Sequence, residues 1–129
     1  ESTPTDRAYW EKRGTKATVS LADKILELVQ QFDSTLKLKY NKFYIGLDKG
    51  GQPYNFVIFR PKKNFLMFEM KIPKSEDVDS MIDEAGLDTL EYSKRWGQYR
   101  LRLSKEDIEN KAEKLKELSK IAFDRRVNA

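Results

Sequence analysis

Leu21, Ile25, Leu28, Val29 and Phe32 recur at helical spacing and place one apolar stripe on a helix predicted over residues 16–32. A shorter helix is predicted over residues 7–13, with Asp6 as its N-cap and Gly14 as its stop. The period then changes. Phe43, Ile45 and Leu47 alternate with Tyr44 and Gly46, and Asp48-Lys49-Gly50-Gly51-Gln52-Pro53 reads as a turn. A second strand is predicted over 55–60. After Pro61-Lys62-Lys63-Asn64, a third runs over 65–72 and is ended by Pro73. Ser75 caps a helix through residue 85, with Glu76 and Asp77 in its first turn and Gly86 beyond it. An irregular stretch follows. Residues 98–103 then alternate, with Tyr99, Leu101 and Leu103 on one face and Arg100 and Arg102 on the other. Ser104 and Asp107 have the spacing of a capping box. The helix they open is predicted over 105–123, with Ile108, Ala112, Leu115, Leu118 and Ala122 as its buried stripe. The expected fold is α+β: an antiparallel four-stranded sheet with packed helices, in the order α-α-β-β-β-α-β-α. Residues 1–14 read as a linker or short N-terminal helix, and 15–129 as a single domain. The opening Glu1-Ser2-Thr3-Pro4 suits a domain carried within a longer protein.

The central strands are apolar on both faces. Phe56 and Ile58 point one way, Val57 and Phe59 the other; Phe65 and Met67 oppose Leu66, Phe68 and Met70. A sheet with one wet face alternates more cleanly. Either helices cover both faces, or one face meets a partner.

Composition narrows the chemistry. The 129 residues contain no Cys and no His. That excludes disulfides, thiolate nucleophiles, zinc knuckles, imidazole ligands and a Ser–His–Asp triad. Acid–base work would fall to Asp, Glu, Lys or Tyr, and a metal would need oxygen ligands. No apolar run is long enough to span a bilayer, and no signal peptide opens the chain. The cysteine-free composition fits a cytoplasmic setting. No cofactor and no membrane partner are expected.

The net charge of +4 conceals strong segregation. Residues 37–74 carry nine bases against Asp48 and Glu69, residues 75–91 carry seven acids and no base, and residues 92–105 carry five bases and no acid. The strands are therefore basic and their connecting helix acidic. These two regions either neutralise each other or leave a basic patch that attracts phosphate. Lys37, Lys39, Tyr40, Lys42, Tyr44, Arg60, Lys62, Lys63, Arg95, Trp96, Arg100 and Arg102 form the candidate basic–aromatic set. Lysine and arginine neutralise phosphates, and tyrosine and tryptophan offer stacking faces to unpaired bases. Arg100 and Arg102 lie about 7 Å apart on one strand face. Trp96 beside Gly97 also suits a plug in the core.

Glu69-Met70-Lys71 matches the E-x-K element of Mg²⁺-dependent nucleases, with Asp48 as a possible second carboxylate. A surface ion pair accounts for Glu69 and Lys71 equally well. The acidic helix, with Glu76, Asp77, Asp79, Asp83 and Glu84, lacks the loop spacing of an EF-hand and reads as a solvated face.

The strand Lys42-Phe43-Tyr44-Ile45 and the strand Asn64-Phe65-Leu66 after its Pro-Lys-Lys turn carry a resemblance to a known family. The Trp96-Gly97 pair before Tyr99-Arg100-Leu101-Arg102-Leu103 carries it too. Over residues 16–123 the chain resembles an uncharacterised bacterial and archaeal domain family whose members are labelled "predicted transport protein". The resemblance implies a C-terminal accessory domain of a longer chain and supplies no catalytic residues. The expectation is thus a non-catalytic domain that binds nucleic acid through a basic sheet edge and its turns. Lys39, Lys42, Arg60, Lys62, Lys63, Arg95, Trp96, Arg100 and Arg102 would make the contacts. The alternatives are an interaction or self-association module using an apolar sheet face, toward another protein or another domain of the parent chain, and the nuclease.

Overall fold

Capping side chains set most helix starts in the computed structural model, which describes residues 4–129. Asp6 accepts from the Tyr9 amide and opens α1 (Arg7–Arg13), and the Gly14 amide closes it on the Trp10 carbonyl. Thr15 and Thr18 form a reciprocal capping box at the start of α2 (Lys16–Val29). Ser75 accepts from the Val78 amide to open α3 (Glu76–Glu84), and Gly86 follows at φ +66°. Ser104 and Asp107 cap α4 (Lys105–Asn110) as the spacing predicts. The last helix is broken at Lys111, so that α5 (Ala112–Val127) is separate from α4. At that break Lys111 adopts a non-helical backbone, and its Nζ donates to the Gly86 carbonyl at 3.0 Å.

The sheet corrects the expectation of four strands and of the element order. Its seven strands are β1 (Lys37–Tyr40), β2 (Ile45–Lys49), β3 (Gln52–Pro53), β4 (Val57–Pro61), β5 (Leu66–Met70), β6 (Asp88–Ser93) and β7 (Gln98–Leu103). They are arranged β1-β2-β4-β5-β7-β6, all antiparallel, with the short β3 paired to β2. The element order is therefore α-α-β-β-β-β-β-α-β-β-α-α. The strands absent from the sequence reading are the two edges, β1 and β6, and the two-residue β3. Edge strands lie over little core, so β1 and β6 contain no fully buried residue and their apolar pattern is weak.

All the helices contribute to one core. Trp10, Val19, Ile25, Val29, Val78, Ile82, Ile108, Leu115 and Leu118 cluster with Ile45, Leu47, Val57, Phe59, Leu66, Phe68, Met70, Leu101 and Leu103 on one side of the sheet. The short N-terminal helix belongs to this core: Trp10 is buried, and its Nε1 donates to the Asn41 carbonyl at 2.8 Å. Phe56 joins Val57 in the same core instead of pointing with Ile58, because the chain leaves strand geometry just before β4. There the Asn55 side chain accepts from the Leu47 amide at 2.7 Å, in place of a backbone ladder bond. Gly46 is required opposite it, since a Cβ on residue 46 would lie 2.3 Å from Asn55 Oδ1. Among the described residues no helix is long and apolar enough to cross a membrane.

Candidate functional site

With the apolar helix faces gathered on one side, the opposite face of the sheet is left without a helical layer. Antiparallel register assigns its residues. Lys39, Gly46, Ile58, Glu69 and Arg100 form one row across β1, β2, β4, β5 and β7. Arg60, Met67, Arg102 and Asp88 form the next row. Lys37 and Asp48 extend the face at β1 and β2, and Lys71 and Gln98 extend it beyond Glu69 and Arg100. The face thus carries Lys37, Lys39, Arg60, Lys71, Arg100 and Arg102 against Asp48, Glu69 and Asp88, a net positive balance.

Long polar side chains do the work of a covering layer here. Ile58 and Met67 are only 5% and 4% exposed although neither belongs to the main core. Glu69 is 2% exposed at the centre of the face. Both its carboxylate oxygens accept from Arg60 Nη1, and Arg100 Nε lies 3.7 Å away. Arg60 Nε also donates to the Phe43 carbonyl at 3.2 Å, tying the β1–β2 turn to the site. Arg102 is paired with Asp88, Nε to Oδ2 at 3.0 Å. The second apolar stripe read from the sequence is therefore sealed within the domain by charged groups. The interaction-module alternative called for a broad apolar face, and this side does not present one.

A cavity of about 210 Å³ opens on this surface between Tyr44, Asn55, Ile58, Arg60, Lys71, Trp96 and Gln98. Trp96 stands in the β6–β7 turn and is 64% exposed, so it is a surface ring and not a core plug. The Arg95 guanidinium lies over it, 4.9 Å from the ring centroid. Gly97, at φ +63°, makes the tight turn that projects it. Lys71 makes no salt bridge among the described residues; burial pushes its ammonium below the usual lysine range, and the Arg126 charge adds to this. Comparison with protein-family models, curated proteins and solved structures finds no match to this chain.

The remaining predicted residues separate. Lys39 projects from β1 onto the open face, and Lys42 is exposed in the β1–β2 turn, its Nζ 5.5 Å from the Phe43 ring. Lys63 is committed elsewhere: its Nζ donates to the Lys12 and Gly14 carbonyls at 2.9 and 3.0 Å, closing the end of α1. Lys62 shares that turn, and its carbonyl accepts from Thr18 of α2. The Pro-Lys-Lys turn thus packs at the α1–α2 junction. Tyr40 faces the core side, where its hydroxyl accepts from Arg7.

The acidic helix does not mask the basic face. Val78 and Ile82 seat α3 in the core on the other side of the sheet, and Asp79 is engaged by Lys74 and the Tyr99 hydroxyl. The nuclease arrangement is not assembled either. Asp48 Oδ1 accepts from the Gly51 amide at 2.7 Å and closes the hairpin turn. β4 lies between Asp48 on β2 and Glu69 on β5, a separation of about 10 Å or more. Glu69 is already held by arginine, and no trio of acidic side chains converges among the described residues.

Phe43, expected from its alternation with Ile45 and Leu47 to lie on an apolar strand face, is outside β2 and 66% exposed. The surface ion pair expected between Glu69 and Lys71 is not present: Glu69 is buried and pairs with Arg60 and Arg100, and Lys71 lines the central cavity. The available signal for Lys71 was its alternation with Glu69 along one strand.

Proposed function

We propose that this domain binds single-stranded nucleic acid across the uncovered face of its sheet, without catalysing a reaction. The observation that supports the reading most is Trp96, an exposed indole beside Arg95 at the mouth of a basic, helix-free face. Base stacking on such a ring tolerates any sequence, and the surrounding lysines and arginines follow the backbone phosphates. Asn55 and Gln98 bring amide donors and acceptors to the same cavity. The contact surface is the open face and its Trp96 turn, not the Pro-Lys-Lys turn.

The test is titration of an unstructured oligonucleotide at several salt concentrations. Neutralising about four phosphates gives a logarithmic salt slope of about −2.8, so affinity falls about fiftyfold between roughly 50 and 200 mM salt. Trp96→Ala is expected to weaken binding by about 5- to 150-fold, the value of one stacked base. Its folding stability should change by less than about 0.5 kcal/mol, because the ring is mostly in water. Binding that ignores salt, or that survives Trp96→Ala unchanged, overturns the reading.

A further inference from the structure

Lys71 also lines a second and larger cavity, of about 600 Å³, together with Asn55, Phe56, Arg125 and Arg126. The two cavities meet at Asn55 and Lys71, which line both. The first holds the exposed indole; the second presents three cations and no aspartate or glutamate, with Asn128 and the terminal residue Ala129 completing its rim. Arg126 is held in place by Tyr54, with its guanidinium carbon 4.2 Å from the ring centroid. Neither Arg125, Arg126 nor Lys71 is in a salt bridge among the described residues, whereas Arg60, Arg100 and Arg102 on the neighbouring surface all have carboxylate partners.

Arginines in a last helical turn complement the helix dipole, so Arg125 and Arg126 have a structural use at the end of α5. Lys71 has none. It sits on the sheet, half-buried, with no carboxylate beside it and Arg126 close enough to disfavour its charge. An amine held that way costs stability unless an anion completes its surroundings.

We infer that the Lys71–Arg125–Arg126 cavity is a subsite for a phosphate monoester, the terminal phosphate of a strand whose last base stacks on Trp96. A monoester carries more charge than an internal diester and presents three oxygens to these donors. This rests on the single-strand reading above and adds to it a preference for one kind of strand end.

The experiment compares oligonucleotides of one sequence and about ten residues carrying a 5′-phosphate, a 3′-phosphate or hydroxyls at both ends. Each is titrated against the native protein and against Lys71→Met and Arg126→Gln. One phosphorylated form is expected to bind about tenfold tighter than the hydroxyl form, and which one identifies the end recognised. That ratio should fall to about one in Lys71→Met and shrink in Arg126→Gln; because Lys71 also belongs to the open face, Lys71→Met weakens the hydroxyl form as well, and the ratio between the two forms is the readout. Lys71→Met should unfold at the same or a higher urea concentration than the native protein. A lysine serving only the fold would show the reverse. Equal binding of all three oligonucleotides overturns the end subsite and leaves the open-face reading standing. An end preference that survives Lys71→Met also overturns it. Failure of every oligonucleotide to bind removes the reading on which it rests.

Discussion

Trp10→Ala is expected to cost about 3–5 kcal/mol of folding stability, the range for emptying a large aromatic site in a packed core. The ring is 2% exposed, meets Tyr9 edge-on at 5.7 Å and lies under the Arg13 guanidinium at 5.1 Å. Truncation opens a void and leaves the Asn41 carbonyl without its indole donor. A loss of that size is a large share of the roughly 5–15 kcal/mol available to a domain. The damage also reaches the open face. The Lys42 carbonyl in the adjoining turn accepts from Tyr9 and Arg13, and the next carbonyl, that of Phe43, accepts from Arg60. Urea denaturation followed by tryptophan fluorescence and circular dichroism measures the loss. An unchanged midpoint would show that α1 is not part of the cooperative unit.

Glu69→Gln is expected to move stability and affinity in opposite directions. Breaking a fully buried ion pair costs about 3–5 kcal/mol. Arg60 and Arg100 remain partly in water, so the expected loss is smaller, about 1–3 kcal/mol. The amide still accepts one hydrogen bond but no longer neutralises either guanidinium. The face then loses its central negative charge, and the two arginines become free to meet phosphate. One unit of charge near a phosphate in water is worth about 1 kcal/mol, so affinity for a single strand should rise about fivefold at low salt. Calorimetric unfolding and oligonucleotide titration on the same variant check both signs. A fall in affinity alongside stability would mean that Glu69 serves chiefly to aim the arginines.

The pairing around Glu69 explains why this site is only partly visible along the chain. Arg60, Glu69 and Arg100 lie on three different strands, and no local spacing connects them. The alternation of residues 98–103 correctly puts Arg100 and Arg102 on one face, because period two is a property of the extended backbone. Whether that face is wet depends on where the helices pack, which the strand does not encode. The same limit applies to Lys62 and Lys63. Two lysines in a proline turn signal exposure, and both are exposed; what the turn does not encode is that helix α1 ends within reach of Lys63, where its terminal carbonyls recruit the ammonium. Ile58 and Met67 argue for a second buried face and are buried, with charged neighbours beside them in place of the helical layer or partner that the sequence offers as alternatives.

Local chemistry accounts for the helix starts at Asp6, Ser75 and Ser104, the Gly50-Gly51 turn, and the apolar stripes of α2 and α5. Each of these depends on residues a few positions apart. Chemistry that needs histidine or cysteine was excluded at the same level. Long-range packing alone recruited β1 and β6 as edges, placed the acidic helix on the side away from the arginines, and exposed Trp96. The physical reason is that hydrogen-bond and dihedral preferences act over a turn or two of chain. The side of a sheet left open to water is a property of the assembled layers, settled by which apolar faces bury one another.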